Sequence, residues 1–352
     1  MADYLAGKKE GAFMAGGLGR KLLFLSLATA FSGLLLSGCK QQEAPKETPV
    51  ALESVKFCRT TTVLLPMVVA EKQGFFSEQG LAVTARVFIT GQDALSDMLR
   101  GECDFATSAE PPVVEYALQR DDFRIISALQ SSENMIRIVA RADRGIAAAI
   151  DLRGKRIGTT AKGTSPHCFV ELFLAKHGLT SKEVVLAFMK PDELLGALIS
   201  GQVDAIAMPN KVIVQAQHDL GDRAVLMEEP GLYRSVIMLL ALTDMLKNRP
   251  AVAERFLRAL AQADDFIRQR PDEAQVLVLA SQQATSNEIK YLLENYHYQL
   301  SLDHAMLIGL EDAARWTLSQ PGDSQRIVPN FLNLIAAEPL RTVKPDAVRL
   351  EQ

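Results

Sequence analysis

One pattern that occurs twice constrains the fold of this chain more than any other feature. The stretch LRGECDFATSAEP, from Leu99, is echoed by ISGQVDAIAMP, from Ile199. In both stretches an apolar helical pattern leads to Gly-x-x-Asp, which opens a strand that ends at a Pro-containing turn. This shared order predicts two similar α/β lobes, the first around 54–140 and the second around 151–228.

Short apolar strands alternate with helices along both halves. This alternation predicts an α/β fold with open, mostly parallel sheets flanked by helices. Ligands bind outside the carboxyl ends of the strands in such sheets, so two facing lobes would form a cleft. In the first half we predict strands at 55–59, 82–89, 101–107, 123–129 and 135–140.

The C-terminal third has a different character. It carries an apolar strand pattern at 235–242 and then a series of helical patterns without candidate chemistry. We interpret these helices as a brace for the first lobe, which would comprise 54–141 and 236–352, while the second would comprise 142–235. The predicted helices lie at 250–268, 272–280, 286–296 and 303–318.

The N-terminus has the pattern of a secretory signal. Arg20 and Lys21 precede an uncharged apolar run at 22–36, which is shorter than the roughly 20 residues a spanning helix needs. The run ends in Leu-Ser-Gly-Cys, which resembles a bacterial lipobox with Cys39 as the lipidated residue. We therefore predict a signal peptide at 1–38 that begins at Met1 or Met14. A polar tether at 39–53 would hold a membrane-anchored lipoprotein outside the cytoplasm.

Charge and cysteine content restrict the function further. A formal net charge of -4 and the lack of a basic run give no reason to expect nucleic-acid binding. Apart from Cys39, the chain has Cys58, Cys103 and Cys168, an odd number that leaves at least one thiol free. Because Cys58 lies late in one predicted strand and Cys103 starts another, we expect the two to be too far apart to bridge. All three would then be small buried thiols. The histidines show no metal-ligand spacing.

The second half contains a candidate anion site. A predicted strand at 156–160 runs into a polar turn at 161–165, and a helix follows that ends at Gly178. Ser165 is a suitable N-cap, and Pro166 loses no hydrogen bond at the first helical position. Unpaired N–H groups at such a helix start favour negative charge. The alternative is an ordinary cap of an α/β crossover.

Taken together, five segments resemble the periplasmic substrate-binding proteins of ABC importers of the nitrate, aliphatic-sulfonate and taurine type. The resemblance implies a two-lobed type II binding-protein fold, closure on one small solute, and delivery of that solute to a membrane permease by a monomer without a cofactor. The matching segments are LPMVVAEKQGFFSEQGLAVTARVF, ALSDMLRGECDFATSAEPP, DLRGKRIGTTAKGTSPHCFVELFLAKHGL, LISGQVDAIAMP and NRPAVAERFLRALAQADDFIRQRPDEA.

The resemblance also implies which residues contact the ligand. Hydroxyls and helix N–H groups at these turns suit a sulfonate-like or carboxylate-like anion. Glu110 would repel an anion unless the ligand also carries a cation, as taurine does, or unless Glu110 pairs with Lys162. Alternatively, Glu110 is a solvated charge at a helix start. The implied ligand-binding residues are Thr60, Thr61, Thr62, Ser108, Ala109, Glu110, Gly163, Thr164, Ser165 and His167, with Asn210 and Tyr233 as weaker candidates.

Other functions compete with this hypothesis. Some relatives bind pyrimidine precursors of thiamin, and some proteins of this fold are enzymes of pyrimidine synthesis or of the menaquinone pathway. His167 and Cys168 could suggest a nucleophile and its base, but adjacent helical residues point in different directions. The signal and lipobox also argue against an enzyme. A ligand-sensing partner of a membrane receptor would need the same cleft as a transport protein.

Overall fold

The computed structural model describes residues 51–60, 64–281, 285–319 and 327–350. The predicted signal peptide, Cys39, most of the tether, and Thr61 and Thr62 lie outside the described residues. Within the described part of the chain, no helix combines the length and apolar composition needed to cross a bilayer.

The described residues form two β-sheets with helices packed around them. The strands are β1 (Glu53–Thr60), β2 (Leu81–Phe88), β3 (Phe105–Ser108), β4 (Phe123–Ser132), β5 (Ile136–Arg141), β6 (Arg156–Thr159), β7 (Val185–Phe188), β8 (Ala205–Pro209), β9 (Ala224–Met227), β10 (Ser235–Leu242) and β11 (His297–Ser301). The helices are α1 (Leu65–Gln73), α2 (Phe75–Glu78), α3 (Gly91–Leu99), α4 (Glu110–Ala117), α5 (Ser165–Lys176), α6 (Pro191–Ser200), α7 (Asn210–Leu220), α8 (Thr243–Asn248), α9 (Pro250–Gln269), α10 (Pro271–Ala280), α11 (Ser286–Asn295), α12 (His304–Ser319) and α13 (Glu338–Val343).

The two sheets have the same strand order around one reversed strand. The first sheet runs β11-β4-β10-β3-β1-β2, and the second runs β7-β6-β8-β5-β9. Strand β10 is antiparallel to both β3 and β4, and β5 is likewise antiparallel to β8 and β9. The remaining strands of each sheet, except β11, run in one direction. The predicted α/β fold class with mostly parallel sheets is confirmed.

The chain passes between the sheets twice, and the first passage differs from the predicted boundary. The predicted boundary puts residues up to 141 in lobe 1, yet β5 pairs within the second sheet, so the chain crosses at 133–135. The apolar run around β5 gives no local sign of this change because either sheet could bury it. The chain returns at 228–234. The two crossovers touch where the Gly231 N–H donates to the Glu133 carbonyl at 3.2 Å.

The repeated Gly-x-x-Asp pattern has the same local structure in both lobes. Gly101 and Gly201 follow the ends of α3 and α6 with left-handed φ angles of 81° and 77°, which suit glycine. The Asp104 carboxylate accepts from the Lys56 N–H at 2.7 Å. Asp204 accepts from the Arg156 N–H at 2.9 Å in the same way. Each Asp therefore ties the start of a third strand to the first strand of its lobe.

Our prediction that the cysteines of lobe 1 are too far apart to bridge is wrong. Cys58 and Cys103 form a disulfide with their Cα atoms 5.8 Å apart. Strand β3 begins only at Phe105, so Cys103 lies in the preceding turn instead of an extended strand. That turn brings it over β1, the direct neighbour of β3. Cys168 is free and buried, in agreement with the expected free thiol.

The core of lobe 1 depends on the C-terminal helices. The Phe256 ring of α9 lies 4.5 Å from the Phe105 ring and 5.5 Å from the Phe57 ring, measured between centroids. Burial of one such aromatic side chain stabilises a fold by about 1.5–3 kcal/mol. The prediction missed β11, because its short polar sequence HYQLS gives no strand signal without its partner β4. The predicted turn at 75–81 instead contains the short helix α2.

Candidate functional site

A small cavity lies where the carboxyl ends of the strands of both lobes face each other. Its volume is about 100 Å³. Five of the predicted ligand-binding residues line it. They are Thr60, Ser108, Ala109, Thr164 and Ser165.

The wall from lobe 1 presents hydroxyl groups without partners. Thr60 ends β1 and Ser108 ends β3, and the two residues are 7% and 1% exposed. Among the described residues, neither hydroxyl oxygen has a hydrogen-bond partner. Gly91 begins α3 against Ser108, since a Cβ added to it would lie only 2.8 Å from the Ser108 Oγ. Buried polar groups are normally hydrogen-bonded, and these two also line the cavity, so a ligand there could accept from both hydroxyls.

The wall from lobe 2 is built by the turn between β6 and α5. The Thr164 hydroxyl contacts the Thr160 hydroxyl at 2.6 Å and donates to the Ala161 carbonyl at 2.7 Å. Helix α5 begins at Ser165, so its N-cap is Thr164 instead of the predicted Ser165. The Ser165 N–H is one of the helix-start donors that have no intrahelical acceptor.

No charged side chain is among the described residues that line this cavity. Positive potential comes from helix starts, because α3, α5 and α7 begin at or beside lining residues and helix N-termini favour anions. The rest of the wall is apolar and comes from both lobes. It includes Ile89, Met135, Ile136, Met208 and Ile237. The cavity therefore suits a small anion with an apolar part.

Glu110 does not face this cavity, although it follows Ala109 directly. Its carboxylate accepts from the Val236 N–H at 2.7 Å and from the Tyr233 hydroxyl at 3.3 Å. The residue is 1% exposed, and this burial raises its pKa to about 7. The expectations of a solvated charge and of a partner in Lys162 are both wrong, because helix α4 turns this side chain into the interior. The Tyr233 hydroxyl, which donates to the Glu110 carboxylate, is likewise outside the cavity lining.

His167, Gly163 and Asn210 also lie outside the cavity wall. His167 is 2% exposed, and its Nδ1 accepts from the Gly163 N–H at 3.3 Å, which shapes the turn before α5. Gly163 has a φ of 85°, and a Cβ there would lie 3.1 Å from the Glu115 carboxylate of α4. The Asn210 side-chain oxygen accepts from Arg137.

Burial raises the pKa of the Cys168 thiol to about 12, so it is protonated at neutral pH.

Several lining residues were not predicted. Thr90 directly precedes α3, Gly91 and Gln92 are the first two residues of α3, and Thr160 directly follows β6. The repeat contained the signal for Thr160, since its place after the first strand of lobe 2 matches that of Thr60 in lobe 1.

The described residues bring one set of metal-ligand groups together, and none of its members lines the cavity. Ligand atoms of Cys58, Asp97 and Cys103 lie within 4.8 Å of one another. Metal binding by cysteine requires thiolates, which the disulfide does not offer. Asp97 is already paired with Arg86 at 2.6 Å and with Arg100. In its oxidised form this group does not fit a metal ion.

Comparison with known proteins identifies the family. The sequence matches the profile described as NMT1/THI5 like over residues 61–274, which is more than half of the chain. The chain belongs to the NMT1/THI5-like family. The predicted resemblance to periplasmic binding proteins is thereby confirmed at the level of family and fold.

Individual relatives of this NMT1/THI5-like chain are distant. A protein of Brucella abortus (strain 2308), named as a binding protein, is 22% identical over 209 residues, which make up 58% of this chain and 64% of the relative. The chain thus spans just under two-thirds of that relative's length.

Two of the solved structures that share its fold show the range of the similarity. The periplasmic aliphatic sulphonate binding protein SsuA from Escherichia coli has a TM-score of 0.69 at 15% identity, covering 85% of this chain and 94% of SsuA. The desulfurization enzyme DSZB has a TM-score of 0.58 at 16% identity, covering 84% of this chain and 99% of DSZB. At these identities the similarity establishes the fold and leaves the ligand open.

Proposed function

We propose that this protein is an extracytoplasmic solute-binding protein that encloses a small organic anion between its lobes and delivers it to an ABC permease. The observation that carries this proposal is the pair of buried hydroxyls, Thr60 and Ser108, without partners in a cavity that faces the start of α5. The relative named as a binding protein and the SsuA fold support the same function.

The lining favours an anion such as an aliphatic sulfonate or a carboxylate over a zwitterion. Helix starts and hydroxyls can donate to an oxyanion, and the isoleucines and methionines can pack against a short alkyl chain. A zwitterion such as taurine would need Glu110 to face the ligand and pair with its ammonium group. With Glu110 bonded to Val236 and Tyr233, the described lining offers no carboxylate to an ammonium group.

A ligand screen by thermal shift tests the proposal. Sulfonates, taurine, nitrate, carboxylates and pyrimidines would be compared, because a ligand that binds only the folded form raises the melting temperature. We expect an alkanesulfonate or a carboxylate to give the largest shift. A pyrimidine as the best ligand would replace the anion with a thiamin-precursor heterocycle. A screen in which no compound shifts the transition would contradict the proposal.

Matched variants would locate the site. Ser108→Ala and Thr60→Val each remove a hydroxyl from the cavity and should weaken binding about tenfold, since hydrogen bonds to a charged group contribute about 1.5–3 kcal/mol. Thr107→Val is the control, because the Thr107 hydroxyl is equally buried and without a partner in the described chain, yet it does not line the cavity. Equal losses in all three variants would show that the effect is structural.

Lipid anchoring and transport form the second part of the proposal. Cys39→Ser should move the protein from the detergent phase to the aqueous phase after Triton X-114 partition. A deletion strain complemented with Ser108→Ala should import the solute more slowly. A receptor partner in place of a permease would leave import unchanged.

An enzyme of the same fold is the second candidate, favoured by the similarity to DSZB. Product analysis with the best ligand of the screen would decide between the two. A binding protein should return the ligand unchanged and should tolerate Cys168→Ala in that assay.

A further inference from the structure

A second and larger cavity lies behind the cleft, on the side of the crossovers. Its volume is about 450 Å³, compared with about 100 Å³ for the cleft cavity. Small-molecule sites typically measure about 300–1,000 Å³ and combine apolar walls with a few convergent polar groups. We define this rear cavity by Glu110, Leu172, Tyr233, Ile308, Gly309 and Trp316.

The rear cavity joins both lobes. Helices α4 and α12 contribute Glu110 and Trp316 from lobe 1, the return crossover contributes Tyr233, and helix α5 contributes Leu172 from lobe 2. The two cavities lie on opposite sides of the same helix starts. Ala109, the N-cap of α4, lines the cleft while Glu110, the first residue of α4, lines the rear cavity, and in α5 Ser165 lines the cleft while Cys168 lines the rear cavity.

The walls are apolar and aromatic, while the most buried polar group is a carboxylate. Leu172, Leu232, Ile308 and Trp316 supply the apolar surface, and Ile308 is 57% exposed. Glu110 accepts from the Val236 N–H, the Tyr233 hydroxyl and its own backbone N–H, whereas a carboxylate can accept roughly four hydrogen bonds. On the opposite wall, Gly309 has no side chain, and a Cβ there would be 3.5 Å from the Glu110 Oε1. Helix α12 therefore lies close to the carboxylate at Gly309.

Glu110 has no ion-pair partner within the described residues, where its hydrogen-bond donors are two backbone N–H groups and a hydroxyl. A buried carboxylate is costly unless it is paired. The other ionisable groups around it are Tyr233 and Arg234 of the crossover, Cys168 and Glu171 of α5, and Asp312 of α12. Of these only Arg234 is cationic, and it is exposed.

We propose that the rear cavity is a second ligand site, which takes a small organic cation with an apolar or aromatic body and uses Glu110 as its counter-ion. An ammonium or amidinium group would complete the acceptor capacity of the carboxylate, while the body would pack against Trp316 and Leu172. Because the site joins α4, α5 and the crossover, its occupancy couples to the cleft, and such coupling is reciprocal. The proposal does not depend on which solute the cleft binds.

The test uses the mature chain with benzylamine as the probe and benzyl alcohol as its uncharged analogue. Isothermal titration at pH about 8 should detect benzylamine binding and an affinity for benzyl alcohol at least about tenfold lower. At pH about 5.5 benzylamine should bind about tenfold more weakly, because Glu110 takes up a proton while the amine keeps its charge. Equal affinities for the two probes, or no benzylamine binding at pH about 8, would overturn the proposal.

Variants separate this site from the cleft. Glu110→Gln should abolish the preference for the charged probe, and Gly309→Leu should block both probes by filling the cavity from α12. Gly196→Leu is the matched control, since it also adds a side chain to a helical glycine but meets nothing within 4 Å. Ser108→Ala should leave benzylamine binding intact. Benzylamine binding that survives Gly309→Leu, or that is lost in Ser108→Ala, would place the probe elsewhere and contradict the proposal.

Discussion

The two lobes solve the same packing problem in different ways. Asp104 and Asp204 make the same hydrogen bond in their lobes, which makes Cys58 equivalent to Gly158 and Cys103 equivalent to Val203. In lobe 1 a disulfide joins the two positions, Cys58 and Cys103. In lobe 2 the equivalent positions are packed together, since a Cβ added to Gly158 would lie 3.3 Å from the Val203 Cγ2.

The residues around these two pairs of positions also differ between the lobes. Beside the disulfide, the 2% exposed Asp97 is paired with Arg86 at 2.6 Å. The equivalent positions in lobe 2 are Ala197 in α6 and Ala187 in β7. One strand order thus supports either a covalent and ionic interior or a wholly apolar one. The repeat determines the backbone, while each lobe has its own means of stabilising it.

A third pair of positions shows what the lobes share. Glu110 and Asn210 each open the helix that follows the third strand of their lobe. Each side chain bonds to the reversed strand of its own sheet, Glu110 to Val236 of β10 and Asn210 to Arg137 of β5. This position therefore secures the crossover strand, while the preceding residues face the cleft.

Removing the disulfide should have the largest effect and should affect lobe 1 alone. Cys58→Ala with Cys103→Val should lower the free energy of unfolding by about 4 kcal/mol, since the bond closes a loop of 45 residues. Urea unfolding with and without reductant measures this loss. Cys168→Ala is the control and should keep its sensitivity to reductant. A double variant as stable as the wild type would mean that packing suffices in lobe 1 as it does in lobe 2.

The next effect concerns pH and distinguishes Glu110 from the uncharged Asn210. The raised pKa of Glu110, about 7, means that the folded state holds a proton that the unfolded state releases near 4.5. The free energy of unfolding should therefore be greatest near pH 4.5 and should fall by about 3 kcal/mol as the pH rises from there through about 7. Asp264, with a pKa raised to about 6 by burial, acts in the same direction.

Urea unfolding at several pH values checks this expectation. Glu110→Gln should flatten most of the slope, and Asp264→Asn should remove the remainder. An unchanged slope in both variants would assign the pH dependence to other groups.

Lobe 2 should prove sensitive to added volume where lobe 1 has its disulfide. Gly158→Ala should cost about 2 kcal/mol, because the new methyl group would lie 2.7 Å from the Leu194 Cδ2 in a closely packed core. Gly196→Ala is the control and should be neutral or stabilising, as it adds a methyl group in open space within a helix. Thermal unfolding of both variants would test the comparison, and equal costs would refute it.

The smallest effect should separate the two repeated aspartates. Asp104→Asn keeps an oxygen for the Lys56 N–H but loses the ion pair with Arg249, at 2.6 Å, so it should cost about 1 kcal/mol. Asp204→Asn should cost less than about 0.5 kcal/mol, because its Arg144 lies 3.8 Å away and is exposed. A larger loss of stability in Asp204→Asn than in Asp104→Asn would mean that the ion pair between Asp104 and Arg249 contributes nothing to stability.

The sequence was sufficient to predict the parts of the fold and site that depend on local order. The repeat predicted two lobes, and the family resemblance implied Thr60, Ser108 and Thr164 as ligand-binding residues, which line the cavity. These residues belong to the ends of parallel strands, which meet at one edge of a sheet whatever the distant chain does.

What could not be predicted depends on contacts that are distant in the chain. Glu110 turns away from the cleft because it bonds to Val236, 126 positions later. The disulfide depends on how the turn before β3 lies over β1, and β11 exists only through its pairing with β4. No local periodicity carries such information. The direction of the Glu110 side chain is one such feature, and our proposal of an anion in place of a zwitterion depends on it.

The position of β10 has a consequence for synthesis of the chain. This strand lies between β3 and β4 in the first sheet, yet the ribosome makes it only after β9 is complete. Lobe 2 can therefore fold while lobe 1 still lacks its middle strand, since domains tend to fold as units in the order of synthesis. During that interval the edges of β3 and β4 stay open to incorrect pairing. Lobe 1, which also needs an oxidant, should be the last part of the protein to mature.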